Sequence, residues 1–202
     1  MTTIGQRERI TQTRVVNLFQ HQLGYAYYGD WQKRADNSNI EAAYLSAWLA
    51  KQGVEEGLIA NALRQFEQAA TMGGGKKLYH ANEEVYSLLR YGVKVRQGQS
   101  ENTKTVWLID WHNPHNNDFA IAEEVSVKGE HTKRPDIVLY VNGIALGVIE
   151  LKRSSVSVAE GIRQNLDNQK KAFIRDFFST MQLVMAGNDT EGLRYGSIET
   201  PE

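Results

Sequence analysis

The sequence has no cysteine and only three prolines in 202 residues. Without cysteine there can be no disulfide framework, no thiolate metal centre and no thiol nucleophile. That absence suits a reducing compartment, and the expected location is the cytoplasm. No apolar run approaches the roughly 20 residues that a membrane helix needs. The opening residues, Met-Thr-Thr-Ile-Gly-Gln-Arg-Glu-Arg, lack the apolar centre of a secretory signal, so no membrane partner is expected. An excess of charge is also missing. The net charge is −1, so the chain as a whole is not a basic nucleic-acid binder. Internal repeats and low-complexity tracts are absent too. The glycine-rich Met72-Gly-Gly-Gly-Lys-Lys is not a phosphate loop: Ala70 stands where the first glycine is needed, and Lys77 where serine or threonine is needed.

What remains is an ordinary globular composition, 41% hydrophobic and 23% charged, in a chain long enough to bury a core. Apolar spacing predicts helices over about 7–23, from Ser38 to Gly53, over about 55–70, and from Asn82 to Gly92. From Val93 onward the pattern alternates like strands. Strands are expected at 93–96, 104–110, 119–127, 137–141, 144–151 and 181–186, with Leu193-Arg-Tyr-Gly-Ser pairing beside the last. Ser157 and Glu160 have capping-box spacing and open a helix to about Phe173. Residues 1–92 therefore form a helical part that includes the first core helix. Residues 93–202 supply the sheet and its crossover helix, and together they make one compact domain of mixed α/β class.

The chemistry concentrates between Arg134 and Arg153, two apolar strands joined at Asn142-Gly143. Asp136, Glu150 and Lys152 lie at the open ends. Two carboxylates holding Mg²⁺, with a lysine beside them, are what phosphodiester hydrolysis requires. Glu150 and Lys152 share a strand face because they are two residues apart. The carbonyl of Leu151 is a further metal-ligand candidate. Register decides whether the carboxylates meet. A plain two-residue turn at Asn142-Gly143 pairs Asp136 with Ile149 and puts Asp136 and Glu150 on opposite faces. Cooperation demands a one-residue shift, expected as an odd-length loop or bulge at Asn142-Gly143.

Ile162, Leu166, Gln169 and Phe173 share one helical stripe, which places Gln169 on the inward face and makes it a candidate at the site. Glu8 on the first helix is a possible addition. Glu123 and Glu124 precede the hairpin, and one of them is a weaker candidate. Asp110, His112, His115 and Asp118 cluster in a loop without metal-binding spacing. Tyr25, Tyr27, Tyr28 and Trp31 suit either base stacking or the core. Residues 131–175 hold eight lysines and arginines against four acidic residues. Arg134, Arg153 and Lys170 of this group are candidates for phosphate contacts.

Pro135-Asp136 with Glu150-Leu151-Lys152 resembles the motif of the PD-(D/E)xK nuclease superfamily. More closely, the chain resembles the N-terminal endonuclease domain of the restriction subunit of type I restriction-modification enzymes. The resemblance rests on Glu8-Arg-Ile-Thr-Gln-Thr-Arg-Val-Val-Asn-Leu-Phe, Leu23-Gly-Tyr-Ala-Tyr-Tyr-Gly-Asp-Trp, Asn117-Asp118-Phe119, the hairpin itself, and Arg194-Tyr-Gly-Ser. It implies a restriction-endonuclease-like core flanked by N-terminal helices. Asp136 and Glu150 would hold Mg²⁺ and Lys152 would be catalytic. The substrate would be duplex DNA, and the partners methyltransferase and specificity subunits. A Gln-x-x-x-Tyr motif follows the lysine in that family; Gln169 matches its glutamine, with Phe173 at the tyrosine position. ATP-driven translocation belongs to motor segments that this chain does not contain, so the chain is expected to be a fragment or a truncated protein. The alternatives are a non-catalytic docking module with the same fold and a stand-alone repair nuclease.

Overall fold

The fold is that of a computed structural model describing residues 3–96 and 102–199, with side chains from residue 9 onward. A six-stranded mixed sheet runs in the order β1 (Ala26–Asp30), β4 (Phe119–Glu123), β5 (Ile137–Val141), β6 (Ile144–Leu151), β7 (Leu183–Asn188), β8 (Gly192–Gly196). β1 is parallel to β4 and β7 to β6; the other pairings are antiparallel. β2 (Val93–Val95) and β3 (Lys104–Val106) form a separate hairpin.

Alternation along the strands splits the apolar residues between two faces. Ile121, Ile137, Ile149, Leu151 and Met185 face α1 (Thr3–Asn17), which contributes Val16. Ala122, Val138, Val148 and Val184 face the other way, toward the core that Phe177, Phe178 and Met181 complete. α5 (Val158–Asn168) lies on this second face, where Gly161 comes close to Ala186 and Glu150. A third cluster joins α2 (Ala42–Lys51), α3 (Glu56–Ala70) and α4 (Leu78–Tyr91) to the β2–β3 hairpin and to Ile144. Each valine, leucine, isoleucine, phenylalanine or methionine buried in these clusters contributes about 1.5–3 kcal/mol, by area.

Several elements differ from the sequence expectation. Ala26–Asp30, which the sequence marks only by its aromatic residues, is an edge strand. Tyr28 stacks on Tyr44 at 4.3 Å and the preceding Tyr25 meets Phe19 at 5.0 Å, whereas Tyr27 is exposed. Asn82 does not open its helix. It sits one turn inside α4 and donates to the carbonyls of Ser179 and Met181. α5 is capped by Ser157, which accepts from Ala159 N–H, but it ends at Asn168. Such a cap is worth about 1 kcal/mol.

The β5–β6 hairpin turns through Asn142 (φ +54°) and Gly143 (φ +82°), with Val141 opposite Ile144. Positive φ at both central residues is the two-residue turn favoured in hairpins. A side chain at Gly143 would meet Tyr44 Cβ at 2.7 Å, so glycine is required sterically as well as by φ. The Asn142 side chain is buried and donates to the Leu108 carbonyl and to Asn117 Oδ1. The turn therefore carries no odd residue. The shift occurs three residues later. Tyr140 pairs with Ala145 and Leu139 with Gly147, leaving Leu146 as the bulged residue. Backbone groups there bond outside the hairpin. Ala145 N–H donates to Asn39 O, Thr180 hydroxyl to Ala145 O, and Gln182 N–H to Leu146 O. Neighbouring loops thus stabilise a bulge that the hairpin sequence alone does not announce.

Candidate active site

Beyond the bulge Ile137 lies opposite Ile149, so the next step of the ladder sets Asp136 opposite Glu150 on one face. This is the register that cooperation demands, reached by a bulge at Leu146 and not at Asn142-Gly143, where it was expected. Asp136 Oδ2 accepts the Leu151 N–H at 2.7 Å, which holds this carboxylate against the end of β6. Glu150 is only 1% exposed. Its Oε1 accepts from Lys152 Nζ at 2.8 Å, whereas its Oε2 is buried with no hydrogen-bond partner. Burial, and then the neighbouring Asp136 charge, push the Glu150 carboxyl up to about 8; the Lys152 ammonium opposes them.

Lys152 Nζ also donates to Gln164 Oε1 at 2.8 Å. The ammonium is therefore fixed between a carboxylate and an amide. Gly161 packs over this pair: a Cβ there would stand 3.0 Å from Ala186 Cβ and in ordinary contact with Lys152 Cγ and Glu150 Cγ, at 3.5 and 3.7 Å. Gln164 was missed in the sequence because the buried face of α5 is not the apolar stripe. Val158, Gly161, Asn165 and Asn168 point inward, while Ile162 and Leu166 are about 40% exposed. The available signal was small: a glycine and an asparagine at helical spacing from a serine cap.

The other sequence candidates have partners or positions of their own. Gln169 is buried, but it donates to Asn165 O at 3.1 Å and accepts from Glu199 N–H at 2.7 Å. Five residues separate it from Gln164, which turns it well around the helix axis. Phe173 lies past the end of α5 and under the Lys133 ammonium, 4.3 Å from its ring centre. Glu123 accepts from Gln12 of α1 and from the Tyr27 hydroxyl. Glu124 pairs with Arg134 at 2.6 Å, and Lys170 pairs with Asp167 at 2.6 Å. Arg153 follows the site directly and is half-buried. The Glu8 side chain lies outside the described residues. Asp110 accepts from the N–H groups of His112 and Asn113 and from Asn116 Nδ2, so it serves its own loop.

Among the described residues no group of three histidine, aspartate or glutamate side chains converges as a metal site. The acidic side chains brought together at the end of the hairpin are Asp136 and Glu150. Among the described residues no helix is long and apolar enough to cross a membrane.

The family profile described as "Type I restriction enzyme R protein N terminus" matches residues 5–202. Individual relatives agree. The type I restriction enzyme SauMSSORF170P endonuclease subunit of Staphylococcus aureus is 25% identical over 63% of this chain and 13% of its own length. The EcoprrI endonuclease subunit of Escherichia coli is 29% identical over 44% of this chain and 29% of its own. The SsaAORF53P endonuclease subunit of Staphylococcus saprophyticus is 26% identical over 62% of this chain and 13% of its own. The chain thus spans a small fraction of the length of the relatives it matches.

Proposed function

The chain belongs to the family of type I restriction enzyme R protein N termini, and from that premise we propose that Asp136, Glu150 and Lys152 form a Mg²⁺-dependent centre that hydrolyses phosphodiester bonds in duplex DNA. The observation that carries this reading is the Asp136–Glu150 pair, in which Glu150 is buried and its Oε2 has no hydrogen-bond partner. A buried, unsatisfied carboxylate beside a second one costs stability and is retained where a cation or a substrate completes it.

The residues present fit a hard divalent cation, which takes oxygen donors. Asp136, Glu150 and the Leu151 carbonyl would hold it. Bound there, Mg²⁺ supplies positive charge against the phosphate and lowers the pKa of a water. Lys152, held at 2.8 Å by both Glu150 and Gln164, presents a fixed ammonium to the negative charge that develops on the phosphoryl oxygens. Gln164 acts through Lys152 and is a positioning residue. Arg134, Arg153 and Lys170 contact DNA phosphates in this reading. Arg134 and Lys170 exchange a carboxylate partner for a phosphate when they do so. The recognition of foreign DNA, the ATP-driven motor and the methyltransferase and specificity subunits belong to the complete assembly.

The test is Lys152→Ala in the full-length subunit, assembled with its partners. Cleavage should fall by about 10²–10³-fold, the loss typical of one transition-state donor, while ATP hydrolysis persists. Undiminished cleavage would remove Lys152 from the chemistry and favour a docking role for this fold.

A further inference from the structure

A second feature lies away from the carboxylates, beside the β2–β3 hairpin. Three of the four tryptophans, Trp48, Trp107 and Trp111, line one cleft of about 540 Å³. That volume is in the range of small-molecule sites, about 300–1,000 Å³. Trp48 is buried and forms the floor, its indole N–H donating to Asn116 O at 3.0 Å. Trp107 and Trp111 form the walls and are 49% and 48% exposed.

One exposed indole is held by a backbone hydrogen bond and the other lies against a glycine. Trp111 donates its ring N–H to Leu89 O at 2.7 Å. Trp107 leans on Gly92, where a Cβ would come within 3.4 Å of the ring. Gly92 closes α4 at φ +73°, and a Cβ there would meet Thr105 Cγ2 at 2.6 Å, so the strand that leads into Trp107 packs directly on this glycine. Large aromatic surfaces fixed in position but left open to water are unfavourable for a free monomer and suited to stacking.

Charge at the rim selects the occupant. The Arg90 guanidinium lies 5.7 Å from the Trp111 ring centre and 5.8 Å from that of exposed Tyr91. It has no carboxylate partner among the described residues. Lys94 reaches the rim through Thr105, to whose hydroxyl it donates at 2.6 Å. Asp110 is the one carboxylate among the cleft-lining residues, and three donors of its own loop engage it. Planar aromatic walls with unopposed cations at the edge match a base and its phosphate.

We propose that the Trp107–Trp111 cleft is a stacking site for an unpaired nucleotide of single-stranded DNA, with Arg90 at the phosphate. The choice of DNA as the polymer rests on the function proposed above; the cleft itself does not involve the carboxylate centre.

The test is fluorescence anisotropy with a labelled oligothymidylate, in EDTA so that cleavage plays no part. The 202-residue chain should bind, and its tryptophan emission should be quenched on binding. Trp107→Ala and Trp111→Ala should each weaken binding by about five- to a hundredfold, with binding to a duplex of equal length unchanged. Trp107→Phe should retain most of the affinity. Arg90→Gln should lower the salt slope by about 0.7; it is the check that survives if an alanine variant melts early. Equal single-strand binding by the Arg90 and phenylalanine variants and by the alanine variants would overturn the site. Displacement of the oligonucleotide by thymidine monophosphate at equal nucleotide concentration would overturn the polymer assignment. Loss of cleavage with Lys152→Ala but no effect of these variants would leave the carboxylate centre standing and this site refuted.

Discussion

Glu150 and Asp110 are opposite cases of a carboxylate in this molecule. Asp110 is exposed to its own loop and accepts from two backbone N–H groups and one side-chain amide, at 2.8–3.0 Å. These bonds, led by the one from Asn113, hold its carboxyl below the usual carboxylate range. Glu150 is buried, accepts one bond from Lys152 and leaves Oε2 unpartnered, and its carboxyl is pushed up to about 8. The sequence around Asp110 is denser in polar and acidic groups, yet it is the completed arrangement. What distinguishes the reactive candidate is incompleteness under burial, which local acidic density does not report.

The contrast breaks most visibly with Glu150→Gln. The raised carboxyl contributes stability that is fully present below its ordinary value near 4.5 and is lost as pH climbs to about 8. The melting temperature of the metal-free chain should therefore fall between pH 5 and pH 9. The glutamine variant should remove most of that slope, worth on the order of 2–4 kcal/mol. A slope unchanged in the variant would mean that burial does not strain Glu150. A smaller effect should come from Mg²⁺ added to the wild-type chain. Melting should rise more at pH 9 than at pH 5, where a proton competes for the same oxygens, and Glu150→Gln should lose most of the gain. The smallest effect concerns Asp110→Asn. Its lowered carboxyl contributes stability above its ordinary value that disappears as pH falls through the depressed one. The variant should melt a few degrees lower at pH 7, with the gap closing in strong acid and the pH 5–9 slope intact. An altered slope there would show that the two carboxylates are coupled after all.

Much of this was legible in sequence because it is local. The hairpin, the Ser157 cap and the pairing of Glu150 with Lys152 on one face follow from period and from residue type. So did the mixed α/β class, and with it the need for a one-residue shift between Asp136 and Glu150. The position of that shift was not legible. Leu146 bulges because Asn39, Thr180 and Gln182 take the backbone groups around it, and all three are far away in the chain. Gln164 was hidden for a related reason. α5 buries Gly161, Asn165 and Asn168 against β6 and β7, so its apolar stripe faces outward and points to Gln169 instead. Ala26–Asp30 reads as an aromatic segment because its strand partner, β4, lies some ninety residues further on. In each case a distant partner overrides a local pattern.

The bulge at Leu146 also makes the hairpin sensitive to parity. Strand faces alternate with a period of two, so the chain between Asp136 and Glu150 works like a reading frame. One residue added or removed within the ladder turns one carboxylate to the α1 face, among Ile137, Ile149 and Leu151, and leaves the other beside α5. A second change of one residue restores the pair, whether in the same strand or across the turn. Length in this hairpin is therefore constrained modulo two, and composition much less strictly. Variants or designed chimaeras of this fold can exchange most of its apolar residues, provided that the count keeps both acids on one side.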